Sequence, residues 1–413
     1  MTASTTMRIL VHDYAGHPFQ AELSAELARR GHRVVHSWCE AYVSGKGRLG
    51  DSDSGVDFLP IGVGQVVEKL NFKRRIVQEL RFGVELARQV RLRRPDVVMV
   101  ANTPVPAMVL LAGYLWLVGV PLVLWHQDVQ GVAIRSFAGE KLGRAFRAVA
   151  EVIERGERWV SRRAAAVVVI AESFVDVHRR WGTASKTTVI PNWAPLQEIV
   201  PTARDNAWAR EHGLDQVPSI VYSGTLGLKH RPELLVRLAR RVRDGGIPAH
   251  LTVVTEGPAV DQLRQEAARL QVPITVLPFQ PYHRLPEVLG SGDVLVVLLD
   301  KSAGAFSVPS KTLSYLCAGR PVLGLMPAEN LAASLVAEVD GCVLPPEDSA
   351  LDDAATWVSS VLRSEARRRK LGRQARALAE REFALDGCAT RFEDILSRVT
   401  GSPELSRTPA RVA

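Results

Sequence analysis

The chain has 413 residues, long for one domain and comfortable for two. Its hydrophobic content of 46% excludes a disordered or fibrous chain and lets each half bury a core. A net charge of +8 and a pI of about 9.5 point to anionic partners, but the excess lies in Arg74-Arg75, Arg91 to Arg94, Arg162-Arg163 and Arg367 to Lys370 rather than in a tail, and no DNA- or RNA-binding signature accompanies it, so nucleic acid is set aside.

The first half alternates apolar strands with amphipathic helices. Met1 to Arg8 runs straight into the strand Arg8–His12, with no charged segment leading a long apolar stretch, so no signal peptide is expected. The loop from His12 to Phe19 contains Gly16 and His17 but no Gly-x-Gly-x-x-Gly, which disfavours a nicotinamide-type site. A helix from Phe19 to Arg30 stops at Gly31 and feeds the strand His32–Ser37. The stretch Tyr42 to Gly64, rich in Gly, Ser and Asp, reads as a loop or flap over the site. Its Asp51 and Asp53 imitate an Asp-x-Asp metal motif only weakly, and no metal is expected. Val67 to Phe82 and Ala133 to Arg147 mix apolar and basic residues at helical spacing. Each reads as an ordinary surface helix face or as a seat for an anionic membrane surface.

Val105 to Trp125 is long and apolar enough to suggest a membrane span, but Pro104 and Pro106 break it. Strand Val97–Ala101, helix Ala107–Leu117 and strand Leu122–Trp125 make a doubly wound unit instead. His126-Gln127-Asp128 follows that last strand and points to the ligand side; His126 reads equally as a core histidine. Strands Ala166–Ile170 and Thr188–Ile190 close the first half. Trp193 to Val217 reads as a linker.

The second half restarts the pattern, with strands at Ser219–Ser223, His250–Thr255, Ile274–Leu277, Val294–Leu298, Pro321–Leu325 and Cys342–Leu344. Helices follow at Ala366–Arg381 and Cys388–Val399, and the chain from Ser402 onward reads as disordered. The fold class is therefore α/β, with two Rossmann-like parallel-sheet domains facing a cleft. The first covers 1–195 with a linker to about 217 and the second 218–385. A helix at 386–400 packs back on the first, and 401–413 forms a tail. Cys39, Cys317, Cys342 and Cys388 lack metal-ligand spacing and read as reduced thiols of a cytoplasmic protein.

The chemistry concentrates in the second half. Val308 to Val322 reads as a loop, a short helix opening at Pro309-Ser310-Lys311, and a stop at Gly319. First-turn amides have no intrahelical partner and the helix dipole makes that end positive, so with Ser310 and Lys311 it suits a diphosphate. Tyr222 to Lys229 occupies another strand-to-helix position, where glycines allow close backbone approach and Lys229 adds charge. Two lysines and a helix N-terminus meet the negative charge that grows on a diphosphate leaving group.

These segments resemble a GT-B glycosyltransferase of family 4, and within it the bacterial group that builds colanic-acid and O-antigen type surface polysaccharides. The resemblance also runs through Ala28 to Val34, Leu124 to Asp128, Arg162 to Ile170, Val189 to Pro195 and Glu256 to Pro258. It implies a retaining, metal-independent transferase without a cofactor, using a nucleotide-diphosphate sugar, of the UDP type, as co-substrate. By the same resemblance Gly224, Thr225, Lys229, Ser310, Lys311 and Thr312 hold the donor diphosphate. Glu256, Gly257, Phe279, Gln280 and Ser314 hold the nucleoside, His126 and Asp128 take the catalytic positions, and Gly16 and His17 face the acceptor. The acceptor is a small molecule or a lipid-linked sugar, the latter placing the enzyme on the inner face of the membrane. Where the family carries two glutamates eight positions apart, this chain has Phe306 and Ser314. That departure keeps a catalytically silent partner subunit open as an alternative, beside a secondary-metabolite transferase.

Overall fold

The computed structural model describes residues 6–41, 54–62, 72–131, 144–226, 231–257, 259–301 and 310–401, with the side chains of 72–73, 144–147 and 310 outside that description. It divides into two units, one formed by Met1–Asn192 with Leu385–Ala413 and the other by Trp193–Ala384. In the first unit the described elements are β1 (Arg8–Asp13), α1 (Pro18–Arg29), β2 (Arg33–Cys39), β3 (Asp57–Ile61), α2 (Phe72–Arg93), β4 (Val97–Ala101), α3 (Val105–Val118), β5 (Leu122–His126), α4 (Arg144–Arg163), β6 (Ala166–Val169), α5 (Glu172–Trp181) and β7 (Thr187–Val189). The second unit carries α6 (Ala207–Glu211), β8 (Ser219–Ser223), α7 (Glu233–Asp244), β9 (His250–Val254), α8 (Ala259–Leu270), β10 (Ile274–Leu277), α9 (Leu285–Gly290), β11 (Val294–Leu298), α10 (Ser310–Cys317), β12 (Val322–Leu325), α11 (Leu331–Glu338), β13 (Cys342–Leu344), α12 (Leu351–Leu362) and α13 (Glu365–Glu382). A last helix, α14 (Leu385–Gly401), returns to the first unit.

Each unit holds one sheet. The first runs in the order β3-β2-β1-β4-β5-β6-β7 and the second β10-β9-β8-β11-β12-β13, and every pair is parallel. The central strands are rich in Val, Ile and Leu because helices cover both faces; β4, β5, β8 and β11 are buried along their whole length. Strand order reverses between β1 and β4 in one sheet and between β8 and β11 in the other. Such a reversal leaves an open crevice at the carboxyl ends of those two strands.

Three features depart from the sequence reading. The stretch read as a loop or flap over Tyr42 to Gly64 contains the edge strand β3, which pairs with β2 and seats Pro60 opposite Trp38. Proline is tolerated there because an edge strand has one side without a partner. Trp193 to Val217, read as a linker, folds within the second unit. It forms α6, capped by the Asn206 side chain accepting from the Ala209 N–H at 2.9 Å, and it buries Trp193 and Trp208. The helix covering Val105 to Val118 starts two residues earlier than read, since Pro106 sits in its first turn, where a missing N–H costs nothing. It ends at Gly119, whose positive φ of 71° caps the helix. Among the described residues no helix is long and apolar enough to cross a membrane. The tail from residue 402 lies outside the described residues.

Helix α14 docks on the first unit through an aromatic contact and a set of charged ones. The rings of Phe392 and Trp125, both fully buried, lie 4.7 Å apart. Glu393 accepts from Arg30 Nη1 at 2.9 Å and meets His32 Nε2 at 3.0 Å.

Candidate functional site

In the second unit a cavity of about 560 Å³ opens at the β8/β11 crossover. Ser223, Gly224 and Thr225 bring the end of β8 to it, Leu299 the end of β11, and Lys311, Ser314 and Tyr315 one face of α10. Spacings of three and four residues put those last three side chains in line on a helix.

Two tyrosines fix this corner. Tyr315, fully buried, accepts a hydrogen bond from the Ser223 N–H at 2.8 Å and donates to the Ser223 carbonyl at 3.1 Å, joining α10 to the last residue of β8. The Lys311 ammonium lies 4.2 Å from the centre of the Tyr222 ring and donates to its hydroxyl, which in turn donates to the Thr225 carbonyl at 2.9 Å. Burial pushes the Lys311 pKa down to about 8. The cation is therefore held in the wall of the cavity with no ion pair to a carboxylate among the described residues, and an anion entering there meets a charge already oriented. Gly224 makes this possible. Its φ is +144°, and a Cβ there would stand 3.1 Å from Lys311 Nζ.

The remaining donor-side residues divide. Phe279 and Gln280 line the cavity, Phe279 being 47% exposed and Gln280 accepting from the Trp208 indole N–H at 3.1 Å. Glu256 and Gly257 do not line it. Glu256 acts one step back, its carboxylate accepting the Phe279 N–H at 3.1 Å. Thr312, expected at the diphosphate, does not line the cavity: it is buried, because the residue after Lys311 points about 100° further round the helix. Ser310 is the first residue of α10. Lys229, Phe306, Asp51 and Asp53 lie outside the described residues.

The first unit has a polar cavity of about 350 Å³ at its own crossover, β1/β4. Tyr14, His17, Asn102, His126, Asp128 and Glu157 are among the residues around it. Gly16, with φ +75°, makes the turn that places His17 but does not line the cavity. Asp13, fully buried, accepts from the His17 backbone N–H and from Asn102 Nδ2 at 2.8 Å, and meets His17 Nδ1 at 3.3 Å. Burial alone would raise the Asp13 carboxyl, but the hydrogen bonds from His17 and Asn102 together with the His17 charge outweigh it, and its pKa falls. The same hydrogen bond raises His17 against an opposing burial effect, with the Asp13 and Asp128 charges assisting.

His126 is placed differently from the catalytic position read from the sequence. It is buried, with Nδ1 at 3.1 Å from His178 Nε2 and Nε2 at 3.4 Å from Glu157. Glu157 also accepts the Gln130 and Gly131 N–H groups at 2.7 and 3.0 Å. Both His126 nitrogens are thus taken by the wall, and the partly exposed histidine of this cavity is His17. Sequence reasoning passed over Asp13, Asn102, Tyr222 and Tyr315. A signal existed for Tyr315, four residues after Lys311 on the same helix face, and for Asn102, a residue type that adopts the positive φ it shows here, 48°.

Two α/β units, each with a cavity at its sheet crossover, are the architecture of the GT-B class, and comparison with known proteins agrees. The model of the glycosyl transferase 4-like domain matches residues 16–193, and that of glycosyl transferases group 1 matches 205–378. Among solved structures, Anabaena Alr3699/HepE in complex with UDP superposes with a TM-score of 0.70 at 15% identity, over 95% of this chain and 100% of that one. Sucrose-phosphate synthase from Thermosynechococcus elongatus gives 0.68 at 14%, over 95% and 98%. The chain belongs to the GT-B glycosyltransferases, with a 4-like first domain and a group 1 second domain. In sequence it is 27% identical over 219 residues to WcaI of Escherichia coli K12, by name a colanic acid biosynthesis glycosyl transferase; the match spans 52% of each chain, about half the length of that relative.

Proposed function

We propose that this glycosyltransferase moves a sugar from a UDP-sugar, with retention at the anomeric carbon and without a metal, to a lipid-linked or small sugar acceptor in surface polysaccharide assembly. The observation that carries the donor half is Lys311, oriented by Tyr222 at the start of α10 and facing a cavity of about 560 Å³. A cation and helix amides at that point neutralise the diphosphate as the sugar bond breaks. The UDP in the Anabaena relative supports the uridine, and the name of the E. coli relative supports the polysaccharide setting. On the acceptor side His17, backed by Asp13 and beside Asp128, is the group suited to hold an acceptor hydroxyl.

Two surface features of the first unit support a membrane-bound acceptor. Val77, Leu80 and Val84 are 47%, 40% and 57% exposed at i, i+3, i+7 on α2, a stripe flanked by Arg74, Arg81 and Arg88. Trp116 and Leu117 are exposed at the end of α3, with the Arg163 guanidinium 4.3 Å from the Trp116 ring centre. Apolar side chains among arginines are what an interfacial seat on anionic lipid needs.

The test is a thermal-shift panel of UDP, GDP, ADP, dTDP and CMP on the wild type and on Lys311→Ala. A shift with UDP alone, lost in the variant, is expected. No shift with any nucleotide would favour the silent subunit that Ser314, in place of the family glutamate, keeps in view.

A further inference from the structure

The second unit carries another cavity, of about 870 Å³, at the far end of its sheet from the donor pocket. Asp293 precedes β11 and Arg320 precedes β12, so the floor lies at the amino ends of these strands, while α13 forms a wall. Six arginines and three carboxylates line it. Two pairs are matched: Arg369 with Glu365, and Arg376 with Glu380 at 2.7 Å.

The imbalance sits around Asp293. That single carboxylate meets Arg204 at 3.2 Å and Arg368 at 3.3 Å, and also accepts the Ser219 N–H at 2.9 Å. Arg320, half-buried beside them, donates to the Thr202 carbonyl at 2.6 Å and has no ion pair among the described residues. Arg204 Nη1 is buried without a hydrogen-bond partner. Arg373, on the exposed rim, likewise lacks an ion pair among the described residues. Burial and the charges of Arg204 and Arg368 push the Arg320 pKa down, only partly offset by Asp293.

Part of this basicity is structural. Arg376 donates to the Cys317 and Ile199 carbonyls at 3.0 and 2.9 Å, and Arg368 to the carbonyls that end α12. Carbonyl capping does not account for Arg373, for Arg204 Nη1 or for the charge on Arg320. Guanidinium stays ionised at any physiological pH, and a partly buried charge without a counterion is costly. Several convergent guanidiniums are suited to the oxygens of a tetrahedral anion.

We propose that this cavity is a second anion site, binding a phosphate-type group between Arg204, Arg320 and Arg373. The group is either a free phosphate or phosphomonoester, or the headgroup of an anionic phospholipid. The site is separate from the donor pocket, since α10 spans the distance between them, with Lys311 at one end and Ala318-Gly319-Arg320 just beyond the other.

Calorimetric titration of the full chain with inorganic phosphate at constant ionic strength, in a Lys311→Ala background that silences the donor pocket, tests the free ligand. Sedimentation with phosphatidylcholine vesicles, with and without phosphatidic acid, tests the lipid. Arg373→Ala changes an exposed side chain with no ion pair among the described residues and keeps the fold; Arg320→Gln is the second variant. Saturable phosphate binding weakened at least tenfold by each variant is expected for a free anion. Binding only to phosphatidic acid vesicles, weakened likewise, identifies a lipid headgroup. No binding in either arm, or binding unchanged by both variants, overturns the site.

Discussion

Replacing Lys311 with methionine should stabilise the empty protein and disable it at once. The methionine keeps most of the stem and removes the charge. Burial lowers the Lys311 pKa from 10.5 to about 8, and a shift of that size corresponds to about 3 kcal/mol lost to the folded state at pH 7. The side chain keeps some contact with water, and methionine forfeits the contact of the cation with the Tyr222 ring, worth about 1 kcal/mol. The net expectation is a gain of about 1–2 kcal/mol, a rise of a few degrees in the melting point of the second unit. In the other direction, loss of charge-assisted hydrogen bonds to a diphosphate should weaken UDP by about 2–3 kcal/mol, thirtyfold or more. Scanning calorimetry with and without UDP reads both. The pH dependence gives an independent check: a lysine with a depressed folded pKa binds fewer protons when folded, so wild-type stability should climb between pH 8 and 10.5 and Lys311→Met should lack that climb. UDP restores a counterion and raises that pKa, so its affinity should fall above pH 8. A variant that melts lower than wild type yet keeps its UDP shift would refute the reasoning.

Gly224→Ala should cost about 1–3 kcal/mol and weaken UDP, because a Cβ at φ +144° crowds Lys311 Nζ at 3.1 Å; wild-type affinity in calorimetry would contradict it. Tyr315→Phe should lower the denaturation midpoint in urea by the equivalent of about 1–3 kcal/mol, since the Ser223 N–H and carbonyl both lose their buried partner. The first unit should unfold in mild acid. Burial lowers His12 and His36 to about 4 and His178 to about 3. Histidines of this kind contribute fully above pH 6.5, and that contribution is lost as pH falls from 6.5 toward 4, at about 2 kcal/mol each by pH 5. Near-ultraviolet circular dichroism that stays native down to pH 4 would contradict this.

Much of the architecture could be read from the chain because parallel strands are apolar segments set between helical ones: Val97–Ala101, Ser219–Ser223, Ile274–Leu277, Val294–Leu298 and Cys342–Leu344 have in the structure the bounds read from the sequence. Strand β3 escaped since Pro60 interrupts its pattern, and only pairing with β2 explains why proline is tolerated there. The segment from Trp193 to Val217 looked like a linker because its prolines and charges conceal Trp208, whose burial depends on partners far along the chain. In the candidate site, charge was legible and support was not. Lys311 stands out as a cation at a helix start. Tyr222 and Tyr315, which orient and anchor it, look like ordinary core aromatics until their hydroxyls are traced. His126 misled for the converse reason: it sits after a strand, where ligand groups gather, but His178 and Glu157 claim its ring.

The return of α14 to the first unit has a consequence for synthesis. The segment that covers Trp125 and pairs with Arg30 and His32 leaves the ribosome only after the whole of Trp193–Ala384 has been made. At typical elongation rates that interval lasts roughly 10–40 s. During it the second unit can fold to completion, while the first, begun earlier, waits with Trp125 uncovered. The domain translated first is therefore the last to be finished, and for that interval it offers chaperones an exposed aromatic surface.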